Sequence, residues 1–165
     1  MRYVIDSSSV INLFNAGALD LVCRLERCDF WLPPLVVGEC GPTCAGTIMD
    51  LREERRLNFV DDTDIDGELF LRLLARHRLG DGETECIALA MVEDFGICCD
   101  DRRARDIARS LIGSERVIGT IRLLRWCVED ALTKCDQAFS LFREMRLQGG
   151  FLPETEQAFF CRDGA

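Results

Sequence analysis

Short apolar runs alternate with stretches of helix-spaced apolar positions along nearly the whole chain. RYVID at residues 2–6 reads as a brief buried strand, and the SSS that follows reads as a polar turn and helix cap. VINLFNAGALDLVCRL has helical spacing broken near Asn15 and Gly17, which predicts two short helices. CDFWLP is a second strand, stopped by Pro33 and Pro34. LVVGECGPTCAGTIMDLREERR is helical in character, and Gly41 and Pro42 should bend or interrupt it. LNFVD supplies a third strand. Asp64 to His77 reads as a helix with Leu69, Phe70, Leu73 and Leu74 on its apolar side. After the LGDG turn, Glu83 to Glu93 forms another. FGICCD is a strand, DRRARDIARSLI a helix and RVIG a short strand. Helices are then expected from Thr120 to Asp130 and from Ala131 to Leu147. The tail after Gly149–Gly150 is less regular, with FLPETEQAFF forming one last turn.

Strands that are short, apolar and separated by helices predict an α/β fold, a parallel sheet covered on both faces. Ligands in such sheets bind beyond the carboxyl ends of the strands, near a switch in strand order. Asp6, Asp100 and Asp101 stand at those ends. No long linker, repeat or low-complexity stretch divides the chain, so one domain over residues 1–165 is expected, with a helical C-terminal extension from about residue 131.

The formal net charge of −9 argues against nucleic-acid binding over the whole surface, but a local acidic pocket filled by cations is compatible with it. Arginine supplies 19 of the 20 basic residues, which suits phosphate contacts and equally fits a coding bias. The ten cysteines include no CxxC pair, and His77, the only histidine, has no cysteine at zinc spacing. They read as reduced core thiols, with a redox-sensitive Cys40–Cys44 pair as the alternative. No apolar run reaches the roughly 20 residues of a membrane span, and the N-terminus lacks the apolar stretch of a signal peptide. A cytoplasmic protein with no membrane association is the expectation.

The candidate chemistry lies in four acidic segments. Asp6 is readable either as a metal ligand at a strand end or as a helix N-cap. Glu39 is either a carboxylate projecting toward Asp6 or an exposed position on an amphipathic helix. Glu83 and Glu85 open a helix, where the helix dipole favours carboxylates without any catalytic role. Residues two apart on a helix point about 200° apart, so one of the two binds metal while the other acts through water or secures the helix. Asp100 and Asp101 would repel each other without a cation or arginine nearby. Four segments delivering carboxylates to one sheet end would suit Mg²⁺, which prefers oxygen ligands and works on phosphate esters. A phosphatase using Asp6 as nucleophile ranks low, because Ser8 breaks the DxD pattern.

The order VIDSSSVI, a glutamate after a Pro-containing strand exit, LGDGETECIALA, a strand ending DDRRAR, and a later GT resembles the PIN-domain family, and within it the group related to VapC-type toxins. The likeness covers about Met1 to Leu124 and extends to GGFLP near the C-terminus. It implies a PIN-like three-layer fold and a nuclease that binds Mg²⁺ or Mn²⁺. By position, Asp6, Glu39, Glu83 and Asp101 match the principal catalytic and metal-binding acids, with Glu85 and Asp100 as alternative metal ligands. This chain has glutamate where many PIN domains have aspartate before the IALA helix. Ser7, Arg102, Arg103 and Arg105 are candidates for contacting substrate phosphate, and helix capping or a solvated helix face are their other readings. The resemblance implies an endoribonuclease, with RNA as substrate and DNA as the alternative, a small antitoxin as partner, and a homodimer. A catalytically weak PIN-like module that binds nucleic acid or protein is the competing function.

Overall fold

The structure of the protein is a computed structural model that describes residues 1–161; residues 162–165, the end of the span expected as one domain, lie outside the described residues. The described chain runs β1 (Arg2–Ile5), α1 (Ser7–Asn15), α2 (Leu19–Val22), β2 (Asp29–Leu32), α3 (Pro34–Glu53), β3 (Asn58–Phe59), α4 (Gly67–His77), α5 (Asp81–Val92), β4 (Gly96–Cys98), α6 (Arg102–Ile112), β5 (Val117–Ile118), α7 (Thr120–Glu129) and α8 (Cys135–Leu147). The five strands form one sheet in the order β3-β2-β1-β4-β5, and every pairing is parallel. In register, Tyr3 lies beside Phe30 on one side and Gly96 on the other, and Ile5 lies beside Cys98.

Successive strand residues point to opposite faces, so a strand buried at every position must be covered twice. Tyr3, Val4 and Ile5 of β1 are all buried. The sheet is therefore the middle of three layers, as the short apolar runs predict. Tyr3 turns its ring toward Trp126 of α7, with centroids 6.2 Å apart. Met145 and Phe142 of α8, and Phe160 of the tail, belong to the same continuous core as β1.

The breaks in the helices fall where local chemistry sets them. Gly41 adopts φ 67°, a left-handed conformation, and Pro42 follows it, so α3 is two helical segments joined at a kink. The helix expected from Asp64 starts at Gly67, because the Asp66 carboxylate caps it by accepting from Leu69 N, and Asp62–Asp64 forms a 3₁₀ turn instead. The helix expected from Ala131 starts at Cys135, because Ala131 sits at φ 58°. One cysteine reading changes. Cys135, expected as a reduced core thiol, is joined to Cys161 by a disulfide that ties the start of α8 to the tail. Cys40 and Cys44 are free, buried thiols on either side of the α3 kink.

Candidate active site

Strands run from β1 outward through β2 to β3 in one direction and from β4 to β5 in the other. The order therefore reverses between β1 and β4, and a crevice opens beyond their carboxyl ends. A cleft of about 520 Å³ lies there, lined by Ser8, Asn12, Glu83, Asp100, Asp101 and Phe151, among others.

Asp6 sits at the end of β1, beneath this cleft, and is 1% exposed. It is also the N-cap of α1: one carboxylate oxygen accepts from Ser9 N at 2.9 Å, and the other from Ser8 Oγ at 2.7 Å and Cys99 Sγ at 3.1 Å. The capping and site readings of Asp6 are thus compatible in one rotamer. Its carboxyl is held above the ordinary aspartate range by burial, against which the donors Ser9, Ser8 and Cys99 act.

Asp101 and Asp100 follow β4 and diverge. Asp101 is exposed, lines the cleft and caps α6 by accepting from Ala104 N at 2.7 Å. Asp100 is buried and saturated with donors: Thr120 N at 2.9 Å, Thr120 Oγ1 at 2.8 and 3.0 Å, and Asn12 Nδ2 at 2.9 Å.

Glu83 reaches the cleft from the first turn of α5, where it also accepts from Gly80 N at 3.0 Å. Burial raises its pKa most, and the charges of Asp101, Asp6 and Glu39 raise it further while the Gly80 amide opposes. Glu39 joins from α3. Its oxygens accept from Gly82 N at 2.9 Å and Ser7 Oγ at 2.5 Å. A side chain at Gly82 would place its Cβ 2.5 Å from Glu39 Oε2 and 3.1 Å from Val36, so any larger residue there must displace the Glu39 carboxylate.

Four of the sequence candidates go elsewhere. Glu85 is buried away from the cleft and accepts from Leu35 N at 2.9 Å, capping the proline-led start of α3. The direction of 200° expected between residues two apart is thus realised, with Glu83 toward the cleft and Glu85 toward α3. Desolvation dominates at Glu85, and its pKa is pushed up to about 7, with the Leu35 and Val36 amides opposing. Ser7 holds Glu39 rather than facing the cleft. Arg103 donates to the carbonyl of His77 at the end of α4. Arg105 lines a neighbouring cleft beside β5. Arg102 alone of that arginine series stays at the rim of the acidic cleft.

Residues not singled out from the sequence include Asn12, which holds Asp100, and Cys99, which donates to Asp6. Thr120 figures in the sequence only through the GT pair. Ser8 and Asn12 are four apart on α1 and so share a helix face. That spacing was the available signal for Asn12.

Among the described residues, none of Asp6, Glu39, Glu83, Asp100 and Asp101 forms an ion pair with arginine or lysine. Among the same residues, no three carboxylate, cysteine or histidine groups converge tightly enough to make a preassembled metal cage. The donor chemistry still fits a hard divalent cation. The side chains facing the cleft offer oxygen, a carboxylate accepts at more lone pairs than the present donors occupy, and the like charges around Glu83 lack a counter-ion. The cysteines nearest Asp6 are poor ligands or nucleophiles by comparison: burial pushes the Cys86 and Cys99 thiols far above their ordinary range, so they stay protonated.

A family model described as a PIN domain matches residues 2–162. The chain belongs to the PIN-domain family. The match runs past α7 and includes α8 and the tail, the stretch in which GGFLP stands. No curated protein and no solved structure matches the chain. PIN domains are generally nucleases, and membership implies a nucleic-acid substrate and use of divalent metal. Among the described residues no helix of this PIN domain is long and apolar enough to cross a membrane.

Proposed function

We propose that this PIN domain is a metal-dependent endoribonuclease that hydrolyses phosphodiester bonds in the acidic cleft. The observation that carries the reading is the gathering of Asp6, Glu39, Glu83, Asp100 and Asp101 from four separate segments around the switch point of the sheet, without a basic partner. Asp6, Glu83 and Asp101 are the residues to hold Mg²⁺ or Mn²⁺ directly. Glu39 and Asp100 act through water or hold their neighbours in place: Glu39 ties Ser7 to the Gly82 amide, and Asp100 ties Asn12 to Thr120. When bound, such a cation supplies Lewis acidity toward a phosphoryl oxygen and lowers the pKa of an attacking water.

The protein's own contribution is orientation. Thr120 and Asn12 fix both oxygens of Asp100, and the Ser9 amide fixes Asp6, so neither side chain needs to reorganise when substrate arrives. The cleft holds no histidine, and His77 lies at the end of α4, so proton transfer falls to carboxylates and water. The likeness of LGDGETECIALA and DDRRAR to VapC-type toxins supports a toxin role, a small antitoxin partner and a homodimer in the cytoplasm.

The glutamate where many PIN domains have aspartate before the IALA helix favours one rival, a catalytically weak module that binds nucleic acid or protein. A cleavage assay on mixed RNA and DNA oligonucleotides with Mg²⁺, Mn²⁺ or EDTA separates the two. Cleavage of RNA that EDTA abolishes supports the nuclease. Tight metal-independent binding without cleavage supports the module, and cutting of DNA alone removes the ribonuclease assignment.

A further inference from the structure

A second cleft, of about 460 Å³, opens beside β5 and is lined by Arg105, Arg109 and Arg122 with Gly119, Trp126 and Thr155 among their neighbours. Three guanidinium groups around one hollow are costly unless something neutralises them. Arg109 is partly offset by Asp106 at 3.5 Å. Among the described residues Arg105 and Arg122 form no ion pair. Arg105 Nε is buried and has no hydrogen-bond partner at all. A buried donor in that state is able to take an oxygen acceptor. Glu115 also lines the hollow, but it folds over Gly113 rather than onto either arginine.

Gly119 lines the second cleft, and its neighbour Thr120 holds Asp100, which lines the first. A Cβ built on this glycine would lie 3.0 Å from Asp100 Oδ1 and 3.1 Å from Arg105 Nη1, so the acid of one cleft and the base of the other flank the same small gap. Asp100 and Arg105 are thus near neighbours, one lining each cleft. The half-buried Trp126 and Phe159 also line this cleft. Arg27 lies 5.5 Å from the Trp126 ring centroid and Arg125 5.2 Å from that of Phe159. The remaining aromatic surface is of the kind on which an unpaired base stacks. Phosphate beside aromatic surface describes a nucleotide unit better than a free anion.

We propose that the cleft beside β5 is a phosphate subsite that holds the nucleic-acid substrate next to the position of cleavage, with Arg105 and Arg122 gripping one phosphodiester. Arginine forks match phosphate oxygens in two directions, and Arg105 bridges from the subsite toward Asp100. The subsite rests on the nuclease reading of the acidic cleft. It sorts the arginines of that reading: Arg105 contacts substrate, Arg103 secures α4, and Arg122, which no motif marks, becomes a substrate contact.

The test is metal-free binding of a labelled, short single-stranded RNA, followed by fluorescence anisotropy in EDTA over a range of salt concentrations. Wild type is compared with Arg122→Ala, Arg105→Ala and the control Arg24→Ala, whose partner is Asp20 on α2. Arg122 is exposed, so its variant should keep the wild-type melting temperature. Arg122→Ala should weaken binding roughly five- to tenfold and reduce the slope of log K against log salt by about 0.7, the value for one lost phosphate contact on a single strand. Arg24→Ala should change neither. Equal affinity and equal slope for wild type and both cleft variants would overturn the subsite alone, leaving the metal-dependent cleavage assay to judge the nuclease. Wild type that binds no RNA in EDTA would likewise overturn the subsite, with the nuclease still judged by cleavage in Mg²⁺.

Discussion

Asp6 accepts three hydrogen bonds from neutral donors, yet it is buried and, among the described residues, pairs with no arginine or lysine. Burying such a carboxylate costs stability, which sites that bind cations commonly tolerate. Asp6→Asn removes the charge and keeps an acceptor for Ser9 N. It should therefore melt at or above the wild-type temperature in EDTA, by up to about 1 kcal/mol, a gain that differential scanning calorimetry reads. A clear loss of stability would mean that the carboxylate serves mainly as a helix cap. Gly82 gives a second test at this scale. Gly82→Ala forces a methyl against Glu39 and Val36 and should cost about 1–3 kcal/mol in urea unfolding, with Glu39 displaced. At this scale much of the site was legible. Asp6, Glu83, Asp100 and Asp101 stand at apolar run ends or a helix start in the sequence, and all four reach or underlie the cleft. Glu85 was not separable from Glu83 by composition, because either could begin the same helix. Asn12, Thr120 and Cys99 were hidden because their importance lies in what they touch.

The start of α3 depends on a residue fifty positions later. Pro34 occupies its first turn, and the buried Glu85 accepts from the Leu35 amide that would otherwise lack a partner. The Glu85 carboxyl, pushed up to about 7 by burial, binds its proton more tightly in the folded state than in the unfolded one. Its contribution is thus fully present below the ordinary glutamate pKa and is lost as pH rises through about 7. Asp6 and Glu83 are shifted in the same direction. In EDTA, the wild-type melting temperature should fall between pH 5 and pH 7.5, by roughly 2–3 kcal/mol from Glu85 at most. Glu85→Gln keeps the acceptor and should flatten that slope. An unchanged slope in the variant would show that Glu85 does not govern it. The elements themselves were largely readable from spacing: the kink at Gly41–Pro42 and the paired short helices before β2 both appear where the pattern puts them. Boundaries at Gly67 and Cys135 were missed because the Asp66 cap and the backbone of Ala131 decide them, and apolar periodicity is blind to both. The Cys135–Cys161 pairing was also missed, since spacing alone cannot bring residues from α8 and the tail together.

Strand order is the part of the molecule that no local pattern encodes. The parallel sheet was legible from alternating short strands and helices, but β3 and β5 are each two residues long, and only packing places β1 beside β4. That placement turns separate acids into one cleft. It also sets five of the 29 acidic residues beside one crevice, where cations would gather, while Arg105 and Arg122 line a neighbouring hollow. Because Asp6 and Glu83 hold their protons more tightly than free carboxyls, metal binding must release protons. Calorimetric titration should show Mn²⁺ affinity rising with pH across the acid range and proton release that depends on buffer, whereas affinity independent of pH would place the cation elsewhere. The most direct test of the nuclease account is the initial rate of RNA cleavage in Mg²⁺ by wild type, Asp6→Asn and Asp101→Asn, each checked for folding. The account predicts cleavage by wild type and a loss of at least about 100-fold in both variants, as expected when charge stabilisation at a reacting phosphate is removed. Undiminished cleavage by both variants would contradict it.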